Sequence, residues 1–243
     1  MLTKNEVKDI QSLYQKKYRD SDKLFIAEGP KLSEELLKRK ELIKRVYATE
    51  SWLKKNDVQN ISVVEVSDSE LSRISNLHTP NEVLIIAKQK EVIEEPFLQG
   101  QIIIVLDGIQ DPGNVGTIFR IADWFGVQQI ICTPDTADIY NPKVVQSSMG
   151  SVIRIQSWYK EVNEMKLNSI PVYGAVLNGK NIYSYPKPSE GFLIIGNESK
   201  GIRDSLLHAV TNKVTIPKIG NAESLNAAVA TGIILGWFAN SNI

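Results

Sequence analysis

A chain of 243 residues that is 42% hydrophobic and 23% charged has the composition of a soluble globular protein and is long enough for two small domains or one large one. Its 28 basic and 28 acidic side chains cancel, which argues against a protein that wraps nucleic acid by bulk electrostatics. No apolar run approaches the roughly 18 to 20 residues of a membrane span, and the charged opening MLTKNEVKDIQSLYQKKYRD lacks a signal peptide's apolar stretch, so a cytoplasmic protein without membrane partners is expected.

Charge is nevertheless uneven along the chain. Residues 1–50 hold 12 Lys and Arg against 9 Asp and Glu, with clusters at Lys16, Lys17 and Arg19 and at Lys38, Arg39 and Lys40. These clusters read as well as solvated helix faces as they do as a local basic patch. In the same stretch Val7, Ile10, Leu13, Tyr14 and Tyr18 recur at helical spacing, predicting a helix from Asn5, its candidate N-cap, to about Tyr18. A strand over LFIAEG, a helix over PKLSEELLKRK with Pro30 in its first turn, and a strand over IKRVYAT follow. A helical turn over SWLKKN, a strand over ISVVEV, a capped helix over SDSELSRIS and a strand over EVLIIAK complete an α/β unit assigned to residues 1–92. The segment KQKEVIEEPFLQG then loses periodicity and gathers charge around Pro96. It reads as a linker, bounded at 93–100.

The second unit, residues 101–243, opens with IIIVLD, an unbroken apolar run that suits a strand buried on both faces, as in parallel sheets. Further strands are predicted at QQIICT, VIRI, PVYGAV, GFLIIG and KVTIP. Helices are predicted between them near NVGTIFRIADWFG, NPKVVQSSMG, KEVNEMK and GIRDSLLHAV. The alternation points to a doubly wound parallel sheet. The last helix, from about Ser224 to Asn240, is apolar nearly all round, and so must be buried in the domain or against a partner.

Three apolar strands of this unit break into loops rich in Gly, Asn, Ser and Glu: LDGIQDPGNVGTIFRIAD from Leu106, FLIIGNESKGI from Phe192, and VTIPKIGNAESLNAAVATGIILGWF from Val214. In open α/β sheets ligands bind at the carboxyl ends of strands, where such loops lie. Free N–H groups at a helix start attract an anion. The glycine spacing is neither G-x-G-x-x-G nor G-x-x-x-x-G-K-[ST], so a dinucleotide oxidoreductase or a P-loop nucleotidase is poorly supported. Two distant histidines, His78 and His208, and a lone Cys132 offer no metal cluster, no Ser-His-Asp triad and no intrachain disulfide. Cys132, at a strand end, reads as a packed core thiol. His208 reads as a helix-surface or packing residue, and His78 as a loop residue.

As an ordered set the three loops resemble the motifs of the SpoU/TrmH family of RNA 2'-O-methyltransferases. The first motif has an Asn six positions before an Arg, here Asn114 and Arg120. The second, G-x-E-x-x-G, is Gly196, Asn197, Glu198, Ser199, Lys200 and Gly201. The third is Ile216 and Pro217, Gly220, then Ser224, Leu225 and Asn226. FIAEGPKLSEELL further resembles the family's small RNA substrate-binding domain, of ribosomal-protein L30e-like fold, so the likeness covers nearly the whole chain. After S-L-N many members carry Val-Ser where this chain has Ala227 and Ala228, both small enough to keep the helix packable.

The resemblance implies a trefoil knot in the carboxyl-terminal domain, a homodimer with the site at the subunit interface, and S-adenosylmethionine as the cofactor. It implies RNA as the substrate, ribosomal RNA before transfer RNA, with a non-catalytic RNA-binding or assembly factor as the reading from another class. It further implies that Gly196, Asn197, Ile216, Leu225 and Val176 bind the cofactor, and that Arg120, Asn114, Glu198, Ser224 and Asn226 are catalytic. Arg120 is the family's proposed base. A guanidinium is a poor base, so fixing a phosphate and stabilising the forming alkoxide is an equal candidate role. For the Asn, Ser and Glu residues the alternative is loop capping, and for Ile216 and Leu225 it is core packing.

Overall fold

A computed structural model describes residues 1–91, 95–167 and 170–239. They fall into two packing units, Met1–Glu91 with Asp138–Ile153, and the rest of the described chain. Positions 93 and 94 of the predicted linker and Asn240 of the predicted last helix lie outside the described residues.

The helix predicted over residues 5–18 is two helices, α1 (Lys4–Ser12) and α2 (Lys16–Asp22), and its cap is Thr3 rather than Asn5. Thr3 and Glu6 form a reciprocal capping box. The apolar spacing runs on, but the Ser12 hydroxyl donates to the Asp9 carbonyl and Gln15 is extended, so local bonds end the helix where periodicity does not. Strands β1 (Leu24–Glu28), β2 (Ile43–Ala48), β3 (Val63–Glu65) and β4 (Val83–Lys88) form a sheet of order β1-β4-β2-β3. β4 is antiparallel to β1 and β2, and β3 is parallel to β2. Helices α3 (Pro30–Leu37), α4 (Glu50–Leu53) and α5 (Asp68–Ile74) connect the strands. Ile10, Leu13, Ile26, Leu71, Ile74 and Leu84 lie in one buried cluster.

The second sheet takes β5 (Ile102–Asp107), β6 (Gln129–Cys132), β7 (Gln156–Tyr159), β8 (Val172–Asn181), β9 (Gly191–Gly196) and β10 (Asn212–Thr215) in the order β10-β8-β9-β5-β6-β7. Every pairing is parallel, which explains why IIIVLD reads apolar throughout. Helix α6 (Pro112–Trp124) follows β5. The segment with α7 (Pro142–Ser148) returns to the first unit. There Arg19, 1% exposed, pairs with Asp138 at 2.5 Å, and the rings of Phe25 and Tyr140 stand 5.0 Å apart. One member of the basic cluster is thus a buried ion-pair residue. Lys16, Lys38, Arg39 and Lys40 pair with Asp20, Glu35, Glu41 and Asp57.

VIRI is not a strand. Its first three residues lie in α8 (Ser151–Arg154), after Met149 and Gly150 turn the chain through left-handed conformations, Ile155 is a bend, and the strand is the next four residues. A four-residue apolar run does not distinguish the two outcomes by periodicity. KEVNEMK contains only a 3-10 turn, Val162–Glu164. Helix α9 (Asp204–Leu207) is short, and α10 (Ala227–Ala239) starts three residues later than predicted. Gly232 and Gly236 of α10 face Ile121 of α6 and its C-cap Phe125, so the two helices approach closely. Burial of Ile234, Leu235 and Phe238 contributes about 1.5–3 kcal/mol each. Among the described residues no helix is long and apolar enough to cross a membrane.

Candidate functional site

Each of the three glycine loops begins at the carboxyl end of a parallel strand: β5, β9 and β10. Asp111 caps α6, its carboxylate accepting from the Asn114 main-chain N at 2.8 Å, and this leaves the Asn114 side chain free to face the other loops. The Asn114 Nδ2 donates to Glu198 Oε1 at 2.6 Å, and Asn226 Nδ2 donates to Asn114 Oδ1 at 2.8 Å. One carboxamide therefore joins all three motifs. Asn226 also caps α10, its Oδ1 accepting from the N–H groups of Ala228 and Val229 at 3.0 and 3.2 Å. Asn226 thus caps α10 and joins the third motif to the first in one arrangement.

The second motif is a tight reversal. Asn197 and Gly201 exchange main-chain bonds at 3.1 and 2.8 Å. Asn197 Oδ1 accepts from the N–H groups of Ser199 and Lys200, and its Nδ2 donates to the Gly108 carbonyl at 2.7 Å. The Asn197 side chain is thus committed to loop structure, and its main-chain N–H and carbonyl are paired with Gly201. Gly196 is required by space, since a Cβ there would stand 2.3 Å from the Gly201 carbonyl carbon.

Beneath these loops lies a polar network that strand and helix patterns alone do not reveal. Asp107, the last residue of β5, is 2% exposed and stands opposite Gly196 in the ladder. It accepts from the Arg203 main-chain N at 2.7 Å and from Arg203 Nε. Arg203 Nη2 also donates to both Asp135 oxygens at 2.7 and 2.9 Å. Partial burial pushes the Asp135 carboxyl up, but hydrogen bonds from Thr133 and Arg203 outweigh it and hold the group below its usual range. A charged residue closing an otherwise apolar strand was the available signal for Asp107.

The remaining expected site residues are more dispersed. Six residues of α-helix advance about 240° around the axis and about 9 Å along it, so Arg120 and Asn114 do not share a face of α6. Arg120 is exposed, and its side chain makes no hydrogen bond or ion pair among the described residues. Ser224 is exposed, two residues before Asn226. The register of β8 against β10 jumps from Gly174 to Lys180, so residues 175–179 leave the ladder. Within that excursion Val176 packs against the core cluster, whereas Leu177 is 68% exposed and its carbonyl accepts from the Thr215 hydroxyl at 3.0 Å. Ile216 is half-buried and Leu225 is 47% exposed.

Residues 217–225 are exposed and carry no hydrogen bond among the described residues. Apolar side chains there stand beside unspent main-chain donors and acceptors, the mixture that small-molecule sites use. Among the described residues no group of three or more His, Cys, Asp or Glu side chains has the arrangement of a metal site. Cys132 is buried, and burial pushes its thiol up, as suits a core residue. His78 and His208 are exposed and lie outside these contacts.

Comparison with known proteins finds relatives along nearly the whole chain. Residues 101–236 match the SpoU rRNA methylase family, and residues 4–85 match the MRM3-like substrate binding domain. The chain is 32% identical over 236 residues to the 23S rRNA (guanosine(2553)-2'-O)-methyltransferase RlmP of Bacillus subtilis, covering 95% of this chain and 94% of the relative. A TrmH-family structure from Porphyromonas gingivalis superposes with TM-score 0.88 at 37% identity, covering 98% of both chains. An AdoMet-bound rRNA methyltransferase from Sinorhizobium meliloti superposes with TM-score 0.86 at 32% identity, covering 100% of this chain and 97% of the other. The chain belongs to the SpoU rRNA methylase family.

Proposed function

We propose that this protein transfers a methyl group from S-adenosylmethionine to a ribose 2'-hydroxyl of 23S ribosomal RNA, and that guanosine 2553, the position named for the Bacillus subtilis relative, is the first site to examine. The observation that carries this reading is the hydrogen-bonded line Asn226, Asn114, Glu198, which draws three separated loops into one place at the carboxyl ends of the strands.

The cofactor supplies an electrophilic methyl on a sulfonium, and what remains for the protein is alignment, which is a large part of the rate for such a displacement. Gly196, Ile216, Leu225 and the main chain of Val176 would hold it, with Asn197 fixing the reversal that carries Gly196. Asn114, fixed on both sides by Glu198 and Asn226, would orient the ribose, with Ser224 beside it. Arg120 would hold the RNA phosphate and stabilise the forming alkoxide.

The position of Arg120 supports a homodimer. Arg120 and Trp124 are one turn apart on α6, Trp124 is 84% exposed, and Val229 on the neighbouring α10 is 50% exposed. A two-fold interface across these helices would cover both apolar side chains and carry Arg120 toward the other subunit's loops. Residues 1–92 would then serve as the RNA-binding domain, of ribosomal-protein type, 93–100 as the linker and 101–243 as the knotted catalytic domain of a cytoplasmic enzyme.

Calorimetry with S-adenosylmethionine, followed by tritiated methyl transfer to total RNA, tests the reading. Cofactor binding and label in 23S RNA are expected. Label in transfer RNA would reassign the substrate, and RNA binding without cofactor binding would make the protein an assembly factor.

A further inference from the structure

We propose that Arg203 is a positioning residue for methyl transfer, locking the first two motif loops in the register at which Asn114, Glu198 and Asn226 meet. The inference rests on the reading of the chain as a methyltransferase. Arg203 makes none of its observed contacts with the residues assigned to ribose or cofactor side-chain contacts, so it acts through others.

The argument begins at Asp107. A carboxylate 2% exposed at the end of a buried strand persists only if it is paired and hydrogen-bonded. Arg203 meets both needs from one residue, with its main-chain N on one oxygen and its Nε on the other. This pins the second residue after the G-x-E-x-x-G reversal to the strand that precedes the first motif. The guanidinium then reaches on, with Nη2 on both Asp135 oxygens and, at 3.3 Å, on Thr133 Oγ1. Thr133 Oγ1 in turn accepts from the Gly108 N–H at 2.9 Å, and the Gly108 carbonyl accepts from Asn197.

The chain of contacts therefore returns to the loop it started from. Gly108 is left-handed at φ +64°, and a Cβ there would lie 2.9 Å from Asp135 Oδ2, so the turn and the fork are built against each other. A lysine would keep the charge at position 203 and the main-chain bond to Asp107, but its single ammonium cannot reproduce the spread Nε and Nη2 bonds to Asp107 and Asp135. Displacements of about 1 Å at reacting groups can cost about 100-fold in rate.

The test uses the full-length protein below its melting temperature with 23S RNA as substrate. R203K and D107N are each expected to lower kcat about 10- to 100-fold while KM for RNA stays within about threefold. The double variant should be little worse than the poorer single one. Wild-type kcat per folded molecule, with only the melting temperature lowered, would reduce Arg203 to a stability role and overturn the proposal, as would a loss confined to KM. Amide hydrogen exchange of the free protein gives a readout independent of turnover: R203K should exchange about tenfold faster at residues 197–201, and unchanged exchange there would also overturn it. If the wild type binds S-adenosylmethionine but methylates no RNA, the methyltransferase reading falls, and exchange alone then decides the role of Arg203.

Discussion

Residues 196–201 and residues 217–225 both follow parallel strands, yet the first loop closes on itself and the second does not. The first is held by its Asn197–Gly201 main-chain pair, by both polar atoms of the Asn197 side chain, and by Arg203 beyond it. The second carries no hydrogen bond among the described residues from its first position to its last. A loop whose polar groups satisfy one another presents a fixed surface, whereas a loop whose groups are unspent has them available for a ligand and bears an ordering cost when it binds. The difference gives the second motif a preformed geometry and leaves the main-chain groups of residues 217–225 unspent.

Gly196→Ala attacks the preformed side, and the largest effect is expected there. The added methyl would fall 2.3 Å from the Gly201 carbonyl carbon, main-chain density that no rotamer change relieves. The reversal would have to open at a cost of roughly 3 kcal/mol. A matching loss of about 100-fold in cofactor affinity, at roughly 1.4 kcal/mol per factor of ten, is the outcome calorimetry should show. Affinity within threefold of wild type would mean that the reversal is not part of the pocket.

Asn226→Ala tests the point where the two loops are tied together. It removes the cap on Ala228 and Val229 and the donor to Asn114 in one step. Stability should fall by about 1 kcal/mol, the usual worth of an N-cap, read from chemical denaturation. Turnover should fall further than that, by about tenfold beyond any loss of folded protein, because the freed Asn114 loses one of its two fixed partners. Equal loss in both measurements would make Asn226 a cap and nothing more.

Which of these features could be read from residues alone follows from the range of the interaction. β5 was legible because a strand covered on both faces must be apolar throughout. The three loops were legible because their Gly, Asn, Ser and Glu residues stand in a fixed order along the chain. The helix at VIRI was not, since four apolar residues suit either conformation until the left-handed Met149 and Gly150 turn them. Arg19 looked like a solvated charge because its partner Asp138 lies 119 positions away, on a segment that folds back into the first unit. Asp107 and Arg203 are separated by 96 positions. The Asn114–Arg120 spacing, read as one motif, spans two faces of a helix.

Gly220→Ala probes the unspent side, and there the expected effect is the smallest. A Cβ at Gly220 meets nothing within 4 Å, and its backbone is not left-handed. Exposed substitutions of this kind stay within about 0.5 kcal/mol, and reduced freedom of the unfolded chain offsets part of any loss. Thermal melting of the free protein should therefore be almost unchanged, in contrast to Gly196→Ala. If the third loop orders around the cofactor, the variant should differ from wild type in the stabilisation that saturating S-adenosylmethionine provides, because the closed loop has less room than the open one. A loss above about 1 kcal/mol in the free protein would instead show that the loop is already held before any ligand arrives, and the contrast between the two loops would then fail.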